Sequence, residues 1–369
     1  MKKLALMLVA VFLITAVFAG GNVMAQKTAN EISSEVEVEG WKYVIDTSDK
    51  MVDTSQYQKE GPYTIGYVTI FMANSWSAQM KEEIVREAQR QEEVEGIQHI
   101  NAQSSVSGQI SAVEDLVAKG VDAIVIDPIS PEALVGALET ARENGVPVIA
   151  ISSTIPAEQV TAWVGRSDYD YGNVTAKWLV EKLNGEGNIV ALSGIAGNST
   201  AQSRWQGAKD VFDEYEDIEI LTREFAQWGF AQAKTAMSNV LAGYSNIDAV
   251  WSGGGAMTQG AMEAFESAGR EMVPMVGEAN NGFLLDWIEA SDQGFESIAF
   301  NNPTSHSAIG LRLALKALKG EPIPESTYAT GPYILGLDEA KKYARPDLED
   351  GYWTGHTLSE EALEELWGK

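Results

Sequence analysis

The residue types that carry acid–base, metal or nucleophilic chemistry are present in this chain, but not in the patterns such chemistry requires. The three histidines, His99, His306 and His356, are scattered. None has a second histidine at the HxxxH or HExxH spacing that places two imidazoles on one helix face. There is no GxSxG nucleophile elbow, and no GxxxxGK phosphate loop closed by serine or threonine. The stretch SGGGAMTQG superficially matches a dinucleotide fingerprint, but it lies late in the chain and no acidic residue stands at the ribose position. The absence of cysteine excludes a disulfide framework, thiolate zinc sites and a catalytic thiol. Carboxylates are so numerous that their proximity in sequence says little. The expectation is a protein that is not an enzyme and holds neither metal nor cofactor.

The aromatic residues say more. Trp76 and Trp228 fall in polar loops, one in each half of the chain. A flat apolar ring can stack on the C–H face of a pyranose or furanose, while amide and guanidinium groups meet its hydroxyl edge. These loops are set by a strand–helix alternation that begins at Tyr63. YTIGYVTI, GIQHINA, VDAIVIDP and VPVIAIS read as strands, and helices with apolar residues at 3.6-residue spacing lie between them (Met80, Ile84, Val85 and Ala88 share one face). After WVGRSDYDYG the rhythm resumes with TAKWLVEKLNG, NIVALSG, TAQSRWQGAKDVFDEY, IEILTREFA, FAQAKTAMSNVLAGY, IDAVWSG, GAMTQGAMEAFESAG and MVPMVGE. Repeated strand–helix–strand units predict an α/β protein of two doubly wound, Rossmann-like parallel-sheet lobes. In such sheets ligands gather at the carboxyl ends of the strands. Here those ends carry ANSWS, DPISP, SSTIP, GIAGNST, AQWGF, SGGGA, EANNG and FNNPT.

The N-terminus and the charge bear on where the protein works. Lys2 and Lys3 precede an apolar run from Leu4 to Gly20, and Val23–Met24–Ala25 suit a signal peptidase, so residues 1–25 read as a signal peptide cleaved before Gln26. Without a cysteine for lipid attachment, the exported chain is expected to stay in the periplasm of a two-membrane bacterium. Residues 26–62 read as an acidic N-terminal extension. The formal charge of −27 argues against nucleic acid, whose phosphates need basic partners, and fits a solvated acidic surface.

GIAGNSTAQSRWQGA, VDAIVIDPISPEAL, GVPVIAIS and SNIDAVWSGGGAMTQGAMEAFESAG, in that order, resemble the ribose-binding-protein branch of the type I periplasmic binding proteins from about Tyr63 to Gly336. The resemblance implies lobes of residues 63–166 with 301–331 and of 167–300 with 332–369. They would be joined by a three-strand hinge crossing near Arg166–Asp168, Phe300–Asn302 and Thr330–Pro332. It also implies capture of a sugar or polyol by a monomer that passes it to an ABC permease in the inner membrane. The alternative is a periplasmic sensor presenting a sugar-like signal, such as autoinducer-2, to a chemoreceptor or histidine kinase. By the same resemblance Asn74, Trp76, Arg204 and Trp228 contact the ligand, with Ser77 in place of a second aromatic. Ser152 and Ser153 replace an acidic–arginine pair. The asparagine of the sixth loop falls within Gly253–Gly255, with Gly254 central. The aspartate expected after VG is Ala279, flanked by Glu278 and Asn280, and the expected hinge glutamine is Phe300 or Asn301, so Glu278, Asn280 and Asn301 are the residues expected to compensate. The stretch after Leu337, with Tyr352 and Trp353, exceeds the family length and is expected to pack on the outside of a lobe, the alternative being an aromatic that reaches toward the cleft.

Overall fold

The computed structural model describes residues 37–38, 41–42, 44–331 and 333–369. The signal-peptide reading and most of the extension before Val44 therefore lie outside the described residues, as does Pro332 in the third crossing. Among the described residues the first lobe is built on strands β1 (Val44–Thr47), β2 (Tyr63–Thr69), β3 (Val94–Asn101), β4 (Ala123–Ile126), β5 (Val148–Ser152), β6 (Ala162–Gly165) and β12 (Ser326–Ala329), in the order β1-β12-β6-β5-β4-β2-β3. All pairings are parallel except that of β1 with β12. The second lobe holds β7 (Gly187–Ser193), β8 (Ile218–Phe225), β9 (Ala249–Ser252), β10 (Met275–Glu278) and β11 (Ser297–Phe300), in the parallel order β8-β7-β9-β10-β11.

Continuous apolar strands form because both faces of each sheet are covered. In β4, Ala123 and Val125 join one core with helices α1 (Ser75–Arg90) and α9 (His306–Leu318). Ile124 and Ile126 face the other core, with α2 (Val106–Ala118) and α3 (Pro131–Glu143). In the second lobe, Val190 and Leu192 of β7 face α6 (Phe230–Gly243), α7 (Gly255–Ser267) and α8 (Asn281–Ser291). Ile189 and Ala191 face α4 (Asp168–Lys182) and α5 (Ser199–Phe212). The two-residue side-chain period of a strand thus feeds two cores at once.

The WVGRSDYDYG segment, read above only as a break, divides into the end of β6 and the first turn of α4. The helix starts early because the Ser167 side chain caps it by accepting from the Asp170 N–H, while Asp168 and Asp170 complement the positive end of the helix dipole. The chain passes between lobes at Arg166–Asp168, between Phe300 and His306, and between Ala329 and Ile334, where Ile334 bridges Ala299 of β11.

Helices α4 and α5 cross at glycines. A Cβ at Gly172 would overlap the Arg204 carbonyl, and one at Gly207 would overlap the Tyr169 carbonyl. Gly172→Ala should therefore lower stability by about 1–3 kcal/mol or more through overpacking. Urea denaturation should show a lower midpoint at unchanged slope. A midpoint equal to wild type would mean the crossing is loose.

Candidate functional site

The carboxyl ends of the strands in both lobes face one cleft of about 810 Å³, its open mouth included. Several loops enter it as helix caps. The Asn74 Oδ1 accepts from the Ser77 N–H at 3.0 Å, and the Asn198 Oδ1 accepts from the Ala201 N–H at 3.1 Å, so each loop ends on a helix N-terminus that offers N–H groups.

The electrostatic centre is a ring of four buried ions. Arg204 donates from Nε to Asp168 at 2.8 Å and lies 2.7 Å through Nη1 from Glu278. Arg166 reaches the same Glu278 oxygen at 3.1 Å and Asp168 at 3.3 Å. None of the four side chains is more than 6% exposed. Charge alternates around the ring, so each guanidinium lies between two carboxylates, as burial demands. Tyr171 lies beneath, its ring centroid 4.6 Å from the Arg204 guanidinium carbon and 5.1 Å from that of Arg166, and its hydroxyl donates to the Ser252 carbonyl at 2.8 Å. Burial opposes the charge on Arg204, but Glu278 and Asp168 outweigh it and raise the group above its ordinary range. Burial and then the neighbouring Arg204 pull Arg166 down. Burial pushes Glu278 up, against the two guanidiniums.

Trp228 sits over Arg204, 4.9 Å from ring centroid to guanidinium carbon, and its indole covers Gly194 closely enough to exclude any Cβ there. Its backbone is left-handed (φ 60°), as are Gln227 (φ 52°) and Ser152 (φ 58°) on the facing lobe. Residues other than glycine rarely adopt this conformation, and the two that line the cleft, Ser152 and Trp228, mark a site where local strain fixes side-chain direction.

The first lobe contributes Asp127 from the end of β4, with Oδ1 3.3 Å from the Ser153 N–H. The Ser153 hydroxyl in turn accepts from Thr200 of the other lobe at 3.4 Å. Ser152 gives its hydroxyl to His306 Nδ1 at 2.9 Å, because His306 Nε2 faces the Ala329 carbonyl at 2.8 Å and must carry the proton there. Burial pulls His306 down to about 4, so the ring is neutral.

Of the residues singled out from sequence, Asn74, Trp76, Ser152, Ser153, Arg204, Trp228, Gly254, Glu278 and Asn280 line the cleft. Ser77 and Asn301 do not. Ser77 is buried in the first turn of α1, and Asn301 turns away to donate to Thr354, so the neighbouring Asn302 takes the cleft position and accepts from Arg166 Nε at 3.1 Å. Arg204 lines the cleft with its Nε and Nη1 already engaged by Asp168, Glu278 and the Gly253 carbonyl, which leaves Nη2 as its donor toward a ligand. Sequence reasoning passed over Arg166 and Asp168, read only as a crossing, and Asp127, visible only as part of DPISP. Trp353 also lines the cleft, so the C-terminal stretch does not merely pack outside a lobe. Among the described residues no cluster of histidine and carboxylate has the makings of a metal site.

Two lobes, a three-strand hinge and a polar cleft between them define a solute-binding protein of the type I fold. Residues 65–322 match the family model of the periplasmic binding protein domain, and the chain belongs to that family. It is 30% identical over 235 residues to the xylitol-binding protein of Mycolicibacterium smegmatis, covering 63% of this chain and 67% of that protein. It is also 30% identical over 224 residues to the ribose import binding protein of Bacillus subtilis, covering 60% of this chain and 72% of that one. Among solved structures, an ABC transporter solute-binding protein from Actinobacillus succinogenes with bound D-allose superposes with a TM-score of 0.64 at 27% identity, over 76% of this chain and 100% of that one.

Removing one member of the ion ring should be costly. Arg204→Ala leaves the buried Asp168 and Glu278 to share the single guanidinium of Arg166, and unfolding of the ligand-free protein should show a loss of about 3–5 kcal/mol. A loss of about 1 kcal/mol or less, as for an exposed pair, would show the ring to be solvated.

Asp127 makes stability depend on pH. Burial, with a contribution from Asp168, pushes its carboxyl from an ordinary 3.8 up to about 7, against the Ser153 donors. The folded state therefore favours the protonated form. That contribution is full below about pH 4 and is lost as pH rises through about 7. Glu83, also pushed up to about 7 by burial, acts in the same direction. Asp127→Asn should flatten the decline in unfolding free energy between pH 4 and 8 without abolishing it, and a slope equal to wild type would place Asp127 in contact with water.

Proposed function

We propose that this protein captures a monosaccharide-sized sugar or polyol in its interlobe cleft and delivers it unchanged to an ABC permease by lobe closure. It would work as a single exported chain after removal of its first 25 residues. The observation that carries the reading is the combination in one cleft of indole faces with polar atoms that have spare hydrogen-bonding capacity. Trp76 and Trp228 line opposite lobes. Among buried side-chain atoms, Arg166 Nη1 and Asn280 Oδ1 have no protein partner, one a donor and one an acceptor. A polyol, each of whose hydroxyls donates and accepts, satisfies both kinds at once. An amino acid would need its α-ammonium and α-carboxylate matched by opposite charges, and the four ring ions already neutralise each other.

Relatives support the same cargo class: the proteins above are named for xylitol and ribose, and the structural neighbour holds D-allose. Lobe closure would bring ring hydroxyls to Asp127 and Arg166 while the C–H face packs on indole. His306 is fully buried behind Ser152 and does not line the cleft, which supports binding without chemistry.

The test is a thermal-shift screen of the mature chain against pentoses, hexoses, pentitols, inositols and amino acids, with the eluted ligand identified by mass. A true cargo at a hundred times its dissociation constant should add about 2.7 kcal/mol of stability, a rise of a few degrees, and leave with its mass unchanged. A response confined to amino acids would overturn the cargo class, and a changed mass would overturn the binding-only reading.

A further inference from the structure

The family match ends at residue 322, yet buried polar groups of both lobes are satisfied by the chain beyond it. After β12 and the bridge at Ile334, helix α10 (Leu337–Tyr343) packs on the second lobe. The segment that follows is held there by Asn281 at the start of α8. Asn281 Nδ2 donates to the carbonyls of Arg345, Leu348 and Glu349 at 2.8, 3.1 and 3.1 Å, and its Oδ1 accepts from the Arg345 N–H at 2.8 Å. The backbone N–H groups of Asn281 and Gly282 donate to Tyr352 and Asp350 at 2.8 and 3.1 Å.

One residue later the partners change lobe. The Trp353 N–H donates to Gln79 Oε1 at 3.0 Å, the Trp353 carbonyl accepts from Gln79 Nε2 at 2.9 Å, and the Trp353 indole N–H donates to Ser75 at 2.9 Å, all on α1 of the first lobe. One turn along α1, Glu83 accepts from the Thr357 N–H at 3.1 Å and from the Thr357 hydroxyl. Trp367, at the end of α11 (Glu360–Trp367), donates to Gln79 at 2.9 Å. Gln79, Glu83 and Asn281 are 0–1% exposed. Stripped of the tail, Gln79 and Glu83 would keep only Thr304 and the Asn281 side chain would lose all four of its bonds, an expensive state for groups so placed. The tail is therefore built into both lobes.

The switch from one lobe to the other lies beside the hinge, because Thr354 accepts from Asn301 of the second crossing. At that point Trp353 is 5% exposed, bridges Asn280 by its backbone and forms part of the cleft lining.

We propose that residues 345–369 form a fourth interlobe crossing whose Trp353 contacts the ligand and sets its size, closing the hinge-side wall of the cleft to anything longer than one sugar ring. This rests on the sugar or polyol reading above. Trp353 is fixed through its backbone by Gln79 and Asn280 and through its indole N–H by Ser75, and such rigid, buried aromatic groups are the positions at which truncation most often weakens binding.

The test uses the full mature chain with D-ribose, xylitol and myo-inositol as calorimetric probes. Trp353→Ala should weaken binding of whichever probes bind wild type by about tenfold or more and change their order of affinity. Trp353→Phe should retain most of the affinity. Thr357→Val, which loosens the tail away from the cleft, should leave the order unchanged. Affinities of Trp353→Ala within about twofold of wild type for every bound probe would overturn the proposal. Should Trp353→Ala fail to fold, Trp353→Leu replaces it. Should no probe bind wild type, the sugar reading fails, and hydrogen exchange of the ligand-free protein decides on the crossing. Protection of the Trp353 and Thr357 amides comparable to that of the lobe cores keeps it, and exchange at the rate of unstructured chain overturns it.

Discussion

Two guanidiniums and two carboxylates, almost fully buried, alternate at the floor of the cleft, and much of the surrounding structure serves to keep them paired. Charges removed from water are tolerated only when each has close opposite partners and further hydrogen bonds. The four come from the end of β6, the first turn of α4, the body of α5 and the end of β10. To bring Arg204 on α5 to Asp168 on α4 the two helices must nearly touch, which Gly172 and Gly207 allow. Tyr171 then offers one ring face to both guanidiniums. A change in helix spacing, in the α4 cap or in the β10 register would leave an unpaired buried ion.

Because the ring consumes most of its own polarity, the recognition proposed above falls to the atoms it leaves free and to what lies around it. The unpartnered Arg166 Nη1, the buried Asp127 opposite and the helix N-termini supply donors and acceptors of both kinds. The indoles supply apolar faces. Left-handed backbone at Ser152 and Trp228 aims side chains that ordinary strand or helix geometry would send elsewhere. The 3.4 Å contact between Ser153 and Thr200 shows the two lobes meeting across the cleft.

Motion in such a molecule has to pass through its crossings. Arg166 and Asn302, joined at 3.1 Å, belong to two of them, so the ion ring and the hinge are mechanically continuous. A tail bonded to α1 on one side and α8 on the other sits at the same edge. A crossing beside the hinge axis can flex with the lobes, whereas one at the cleft mouth would have to break whenever they opened.

Strand–helix alternation and the apolar runs of β4 and β5 made the two-lobed α/β architecture legible in the sequence, because these patterns depend on residues near one another along the chain. The cleft loops were equally visible, since strand ends can be read from the same patterns. What each side chain does within the cleft was not. Asn301 and Asn302 are neighbours of the same type, yet only the second faces the cleft, because Thr354, fifty-three residues away in sequence, engages the first. Arg204 read as a donor to ligand, and the engagement of its Nε and Nη1 by Asp168 and Glu278, distant along the chain, was not visible there. Trp353 read as part of an appendage, and only its partners Gln79 on one lobe and Asn280 on the other show it held between them. Local periodicity thus determined the fold and the loops that form the site. Partner choice among buried polar groups was decided only in three dimensions, because desolvation forces each group to pair with whatever the tertiary structure brings within reach.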